Sequence, residues 1–280
     1  TMNKKLKIAL WAIVVLLVFV VLYLARKQQE EATAQQPIIA ISVVDENAFL
    51  TESELLKRLK TDHLVFSGQT MEQLNTHAIE RYIRKMHEVE SVAVYKRFGG
   101  IWCVDVKVRQ PYARVFNRFG ESFYIDSKGI KMNTSPNFTA RILVFSGNIV
   151  DRCDTLSVEQ IEQDEQLRNR KNSDEIYRLA KHIALDPFLK AQIAQVQRDK
   201  WGDFILIPQV GNHEIVFGAA NSNKDVAVKL NKLKIFYQEG LPFEGWNKYN
   251  QINLKYKNQV VCKKRNFVPE IIDQNQPASH

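Results

Sequence analysis

The sequence predicts an α+β protein in three parts: a single N-terminal transmembrane helix, a β-α-α-β-β module, and a mixed, mostly antiparallel β-domain. Three observations predict it. An uncharged apolar run fills residues 8–25. The apolar period then switches between about 2 and about 3.6 residues in the order strand, helix, helix, strand, strand. Beyond Gln110-Pro111, short alternating segments separated by Gly120, Gly129 and Gly147 take over.

The first element is IALWAIVVLLVFVVLYLA, Ile8 to Ala25, which holds no charge, proline or glycine. A helix of that length covers most of the roughly 30 Å hydrocarbon core of a bilayer. Its Ile, Leu, Val and Phe residues together favour insertion by about 4 to 8 kcal/mol. Ala32-Thr33-Ala34 resembles a signal-peptide cleavage site, but the apolar run exceeds an ordinary signal core and the charged RKQQEE intervenes, so an uncleaved span is expected. Lysines at 4, 5 and 7 precede the span and Arg26 and Lys27 follow it, a weak bias. The shortness of the arm, residues 1–7, argues for a cytoplasmic N-terminus with the rest translocated. Residues 26–37 are Gln/Glu/Ala-rich and read as a linker, either a solvated stalk or a helix extension.

Residues 38–110 form the module. IIAISVV, from Ile38, supplies a strand, and Thr51-Glu52-Ser53-Glu54 caps a short amphipathic helix containing LLKRL. A second helix carries Leu74, Ala78, Ile79, Tyr82, Ile83 and Met86 on one face. Val89 to Tyr95 then alternates, Phe98-Gly99-Gly100 turns, and Ile101 to Arg109 places Trp102, Val104, Val106 and Val108 on one side. Three strands with two helices on one face bury both apolar surfaces compactly.

Residues 111–265 form the β-domain. YARVF, SFYIDSKG and ARILVFSG read as strands, followed by helices over Ser157–Asn169 and Asp174–Leu185, the latter ending before Pro187. Strands resume as QIAQVQRD, DFILIPQ and HEIVFG; a helix from Asn223 to Tyr237 carries Val226, Leu230, Leu233 and Phe236 on one face; QINLKYK and QVVCKK close the domain. The polar residues 266–280 are expected to be a disordered tail.

The chain carries 39 Lys+Arg against 31 Asp+Glu, a formal charge of +8, with the basic residues scattered rather than clustered. That argues against a nucleic-acid partner. Cys103, Cys153 and Cys262 are too few and too widely spaced for a disulfide framework or a zinc site, and read as buried or half-buried thiols of which one pair could bridge. HExxH, CxxC, GxSxG, P-loop and dinucleotide signatures are all missing, so no catalytic residue, metal or cofactor is expected. His87-Glu88 reads as a solvated helix end, His213-Glu214 as the opening of a strand, and Asp126-Ser127-Lys128-Gly129 as a hairpin turn. The sequons at Asn133 and Asn137 mark an exposed loop.

This order of weak signals resembles the FtsQ/DivIB cell-division family, whose first extracytoplasmic module is a POTRA domain. VESVAVYKR from Val89 and VDVKVRQPYARV from Val104 resemble the family's strand pair and proline turn. FYIDSKG from Phe123 looks like its Y-x-x-D-x-x-G hairpin; the Gly211 turn with EIVFG, the Lys229-Leu230-Lys232-Leu233 helix and Ile252-Asn253-Leu254-Lys255-Tyr256 resemble its later segments. Asn253 and Lys255 depart from the usual Asp and Arg, and the helices of 157–185 are longer than the family pattern. The resemblance implies a non-enzymatic divisome scaffold in the bacterial inner membrane at the division septum. It also implies a periplasmic main domain that holds an FtsB/FtsL-like pair of single-span proteins and recruits other division proteins through the POTRA-like module.

A late strand at a sheet edge leaves backbone groups for a partner strand to complete by β-augmentation. The expected partner-binding residues are Leu254, Lys255, Tyr256, Val260, Val261 and Lys263: apolar side chains bordered by positive charge, with Lys257 and Lys264 beside them. The plainer reading is that the lysines only protect an edge from aggregation. Rival functions are an envelope assembly or secretion factor, for which a membrane β-barrel is missing, and an envelope hydrolase, which would need a pocket of perturbed titratable groups.

Overall fold

The computed structural model describes residues 4–43, 50–134 and 139–265. The tail 266–280 and much of the sequon loop lie outside the described residues. The chain divides into two compact units at Gln110 and Pro111, each with its own core.

The first unit opens with α1, Lys4–Glu31, a continuous helix of 28 residues that extends the apolar run by more than a turn into the expected linker. From Trp11 onward it qualifies as a membrane span, and none of its apolar window is buried by protein. The strands β1 (Ile38–Ser42), β2 (Val89–Lys96) and β3 (Trp102–Val108) form one sheet in the order β1-β3-β2, with β1 parallel and β2 antiparallel to β3. The helices between β1 and β2 are α2 (Glu52–Thr61) and α3 (Thr76–Arg84). Thr51 caps α2 by accepting the Glu54 N–H, and Asn75 caps α3 by accepting the Ala78 N–H. Leu55, Leu59, Ile79 and Ile83 face Val92, Val94, Val104 and Val106 in a closed core. A bulge between Val89 and Ser91 resets the alternation, so Val89 and Val92 both point inward.

Residues 32–35, within the segment expected to be a solvated stalk or a helix extension, are stitched to the module. Ala34 N–H donates to Gln69 O (2.8 Å), Met71 N–H to Ala32 O (2.9 Å), Gln35 N–H to Gly100 O (2.9 Å) and the Trp102 indole to Gln35 O (2.9 Å). Gly100 makes the approach possible: its φ is +76°, and a Cβ there would lie 2.6 Å from Thr33 O.

The second unit is a nine-stranded sheet with helices packed on it. In chain order its elements are β4 (Pro111–Phe116), β5 (Ser122–Asp126), β6 (Lys131–Asn133), β7 (Leu143–Gly147), α4 (Val158–Gln163), α5 (Glu165–Arg168), α6 (Ser173–Leu185), α7 (Pro187–Gln192), β8 (Ile193–Arg198), β9 (Phe204–Pro208), β10 (Glu214–Gly218), α8 (Asn223–Ile235), a π turn (Phe236–Gly240), α9 (Leu241–Glu244), β11 (Tyr249–Asn253) and β12 (Val261–Lys264). The sheet order is β12-β11-β10-β9-β8-β7-β4-β5-β6. Five of its neighbour pairs are antiparallel; β4–β7, β7–β8 and β10–β11 are parallel. Parallel neighbours need a long crossover, which explains the unexpectedly long helical stretch: α4 to α7 carry the chain from β7 to β8, and α8 carries it from β10 towards β11. Ile176, Leu179 and Ile183 of α6 and Val226, Leu230 and Leu233 of α8 bury against Val115, Phe145, Phe204, Leu206, Ile215 and Ile252.

The single helix expected over 157–169 is broken. Asp164 accepts the Gln166 and Leu167 N–H groups and so starts α5 where α4 ends. Asp126 closes the β5–β6 turn by accepting the Lys128 and Ile130 N–H groups, as a hairpin requires. Cys103 is buried and Cys262 half-buried, but Cys153 is exposed, unlike the buried or half-buried site expected for it; none is bonded to another.

Candidate partner-binding edge

The sheet ends at β12, a four-residue strand hydrogen-bonded to β11 through the pairs Gln251–Lys263, Ile252–Cys262 and Asn253–Val261. Among the described residues no strand lies on its other side. Its exposed edge keeps backbone N–H and C=O groups available along an extended segment. Val261 is 41 % exposed, Val260 is half-buried, and Lys263 and Lys264 project into solvent.

The connection from β11 to β12 is built, not loose. β11 stops at Asn253 because its side-chain oxygen accepts the Lys255 N–H at 2.9 Å and turns the chain. The strand expected through Tyr256 and Lys257 therefore ends early. Asn258 takes a left-handed backbone (φ +60°), which asparagine tolerates better than most residues. Lys232 of α8 then clamps the loop, donating to Leu254 O (2.9 Å), Tyr256 O (2.7 Å) and Gln259 O (3.4 Å). Burial, and next the neighbouring Lys229, push the Lys232 amine below its usual range.

Leu254, expected at the partner surface, is fully buried: its N–H donates to Val216 O and its side chain belongs to the domain core. It supports the loop from beneath. Lys255 is exposed but committed, since its ammonium pairs with Asp203 at 2.5 Å and its stem lies over Gly218. A Cβ at Gly218 would come within 2.8 Å of that stem. Tyr256, 49 % exposed, stands beside it.

Next to Val260 lies a cleft of about 340 Å³ that sequence reasoning missed, walled by Lys232, Ile235, Phe236, Gly240 and Gln259. The π turn forms its floor, and the buried Tyr237 anchors that turn through a 2.6 Å hydrogen bond between its hydroxyl and His213 Nε2. A one-residue widening of a helix leaves no period to read, so the only sequence signal was Gly240-Leu241-Pro242 breaking the helical pattern. Among the described residues no three His, Cys, Asp or Glu side chains converge as a metal site requires.

Residues 110–263 match the family described as FtsQ/DivIB, C-terminal related. That is more than half the chain. The chain belongs to the FtsQ/DivIB family. Residues 35–107 separately match the POTRA-like domain. Comparison with curated proteins gives no match. The FtsQ/DivIB and POTRA-like domains are non-catalytic scaffold modules, and membership supports a scaffold role in cell division that works through divisome protein interactions. Together with the one apolar helix, membership fits a single-pass membrane protein at the division site.

Proposed function

We propose that this chain is a bitopic division scaffold that captures single-span partners of the FtsB/FtsL kind at the β12 edge. A partner segment pairs with β12, while Tyr256, Val260 and Val261 supply apolar contact and Lys263 favours an acidic neighbour. Lys255 acts by holding the loop against Asp203, and Leu254 by filling the core below it. The single observation that carries this reading is an open, ordered edge strand beside an apolar cleft. In this reading the N-terminus is cytoplasmic, the two folded units lie in the periplasm, the POTRA-like unit recruits other division proteins, and the complex helps recruit or regulate septal peptidoglycan synthesis.

The test is a pull-down of the partner's extracytoplasmic segment by full-length protein in detergent. Tyr256→Lys and Val260→Glu each abolish capture while the melting temperature stays unchanged. Full capture by both variants would sink the edge reading.

A further inference from the structure

Where α1 leaves its apolar run, its last turns and the POTRA-like unit enclose a cleft of about 560 Å³. One end is apolar, walled by Leu22, Ala25, Met71 and Phe98. The other carries both charge signs: Arg26 and Lys96 against Glu30 and Glu72.

The height of this cleft is set by hydrogen bonds. Gln29 Nε2 donates to Arg97 O (2.8 Å), and Glu72 N–H donates to Glu30 O (3.0 Å), in addition to the stitches of residues 32–35. Gln29 lies four residues past Ala25, about 6 Å along the helix axis. The tip of the β2–β3 hairpin is thereby held level with the end of the membrane span. Phe98, at that tip, is 83 % exposed and lines the same space as Leu22, which is 60 % exposed at the end of the apolar run. An exposed phenyl ring fixed at the boundary of the bilayer finds its apolar cover in acyl chains.

The polar end selects the headgroup. Lys96 is positioned by donating to Met71 O, and Arg26 forms an exposed pair with Glu30 (2.9 Å) of the kind that contributes little and exchanges readily. A phosphate between Arg26 and Lys96 satisfies both cations, and a primary ammonium a few atoms away donates to Glu30 and Glu72. A lipid carrying only negative charge would set its headgroup against two carboxylates. A quaternary ammonium has no N–H to give them. We propose that this cleft seats one zwitterionic aminophospholipid of the membrane that α1 crosses, with Phe98 packed on its acyl chains. This depends on α1 being a membrane span and is independent of the β12 edge.

The experiment places the full-length protein in nanodiscs holding equal fractions of phosphatidylethanolamine, phosphatidylglycerol and phosphatidylcholine, and quantifies by native mass spectrometry the lipid retained after release. Phosphatidylethanolamine is retained roughly tenfold over either competitor, the ratio expected from about one charge-assisted hydrogen bond gained. Glu72→Gln alters one exposed side chain, leaves the melting temperature unchanged and removes the preference over phosphatidylglycerol. Phe98→Ser lowers retention of all three lipids. Equal retention by the unaltered protein, a preference for phosphatidylglycerol, or a preference that survives both substitutions would each overturn the proposal. Partner capture at β12 is unaffected in both variants, so failure here is separable from failure there.

Discussion

The nine-stranded sheet has two edges, and lysine sits on both, but the lysines do opposite things. At β6 the side chain of Lys131 is wholly buried, pairing with Asp154 at 2.7 Å and lying 3.9 Å from Asp151. Asp151 in turn accepts the Asn172 N–H (2.6 Å), the Ser173 N–H (3.2 Å) and the Ser173 hydroxyl (2.5 Å), tying that edge to the start of α6. At β12, Lys263 and Lys264 are exposed and neither makes an ion pair among the described residues. Drawing a lysine inward closes an edge; setting lysines outward keeps an edge soluble without covering it. Among the described residues, β12 is the end of the sheet whose lysines make no such inward pair, which is the ground for proposing strand addition there.

Breaking the closed edge has the largest effect on stability. Lys131→Ala leaves the buried Asp151 without its nearby cation, although Asp154 keeps Lys171 at 2.8 Å, and lowers unfolding free energy by about 3–5 kcal/mol in chemical denaturation. Capture of a partner at β12, measured below the new transition, is unchanged. A variant as stable as the parent would mean that the buried pair does not hold β6.

Loosening the open edge costs less stability and more function. Lys232→Met frees three carbonyls of the 254–259 loop and costs about 1.5–3 kcal/mol, the range for hydrogen bonds to a charged group. Partner affinity, measured calorimetrically, falls further than that loss of stability explains, because the loop presenting Tyr256 and Val260 is no longer fixed. Equal affinity would show that the clamp serves folding alone.

The smallest effect is a pH dependence at the same end of the sheet. Burial first, and then the charge of Arg265, hold the His213 imidazole below its usual pKa, and its Nδ1 has no partner. A depressed folded value means that the stability contributed by neutral His213 is complete above about pH 6.5 and is lost as pH falls towards the depressed value. Denaturation at pH 7.5 and 5.5 is expected to show a drop that His213→Gln removes. An identical drop in the variant assigns the effect to other groups.

The elements that could be read in advance were those whose pattern repeats. The module's strands and helices, the apolar span and the alternating β-domain segments each show several periods, and the α+β organisation follows from them. What escaped was short or doubly used. β6 has three residues, one of them a buried lysine, and offers no alternation to read. Pro187 reads as the stop of one helix, yet it is also the first residue of α7, with Asp186 accepting the Phe188 and Leu189 N–H groups. At the site, the apolar and basic character of 255–263 was plain in the chain. The depth of Leu254 follows from the alternation it shares with buried Ile252; what the pattern did not show is the turn at Asn253, which ends the strand four residues before the expected Lys257.

The stitching of residues 32–35 has a rotational consequence. Because α1 and residues 32–35 are hydrogen-bonded to the POTRA-like unit, each residue of helix face corresponds to about 100° of compass bearing for that unit around the helix axis. A neighbouring helix that packs against one face of α1 therefore chooses the direction in which the unit looks across the membrane.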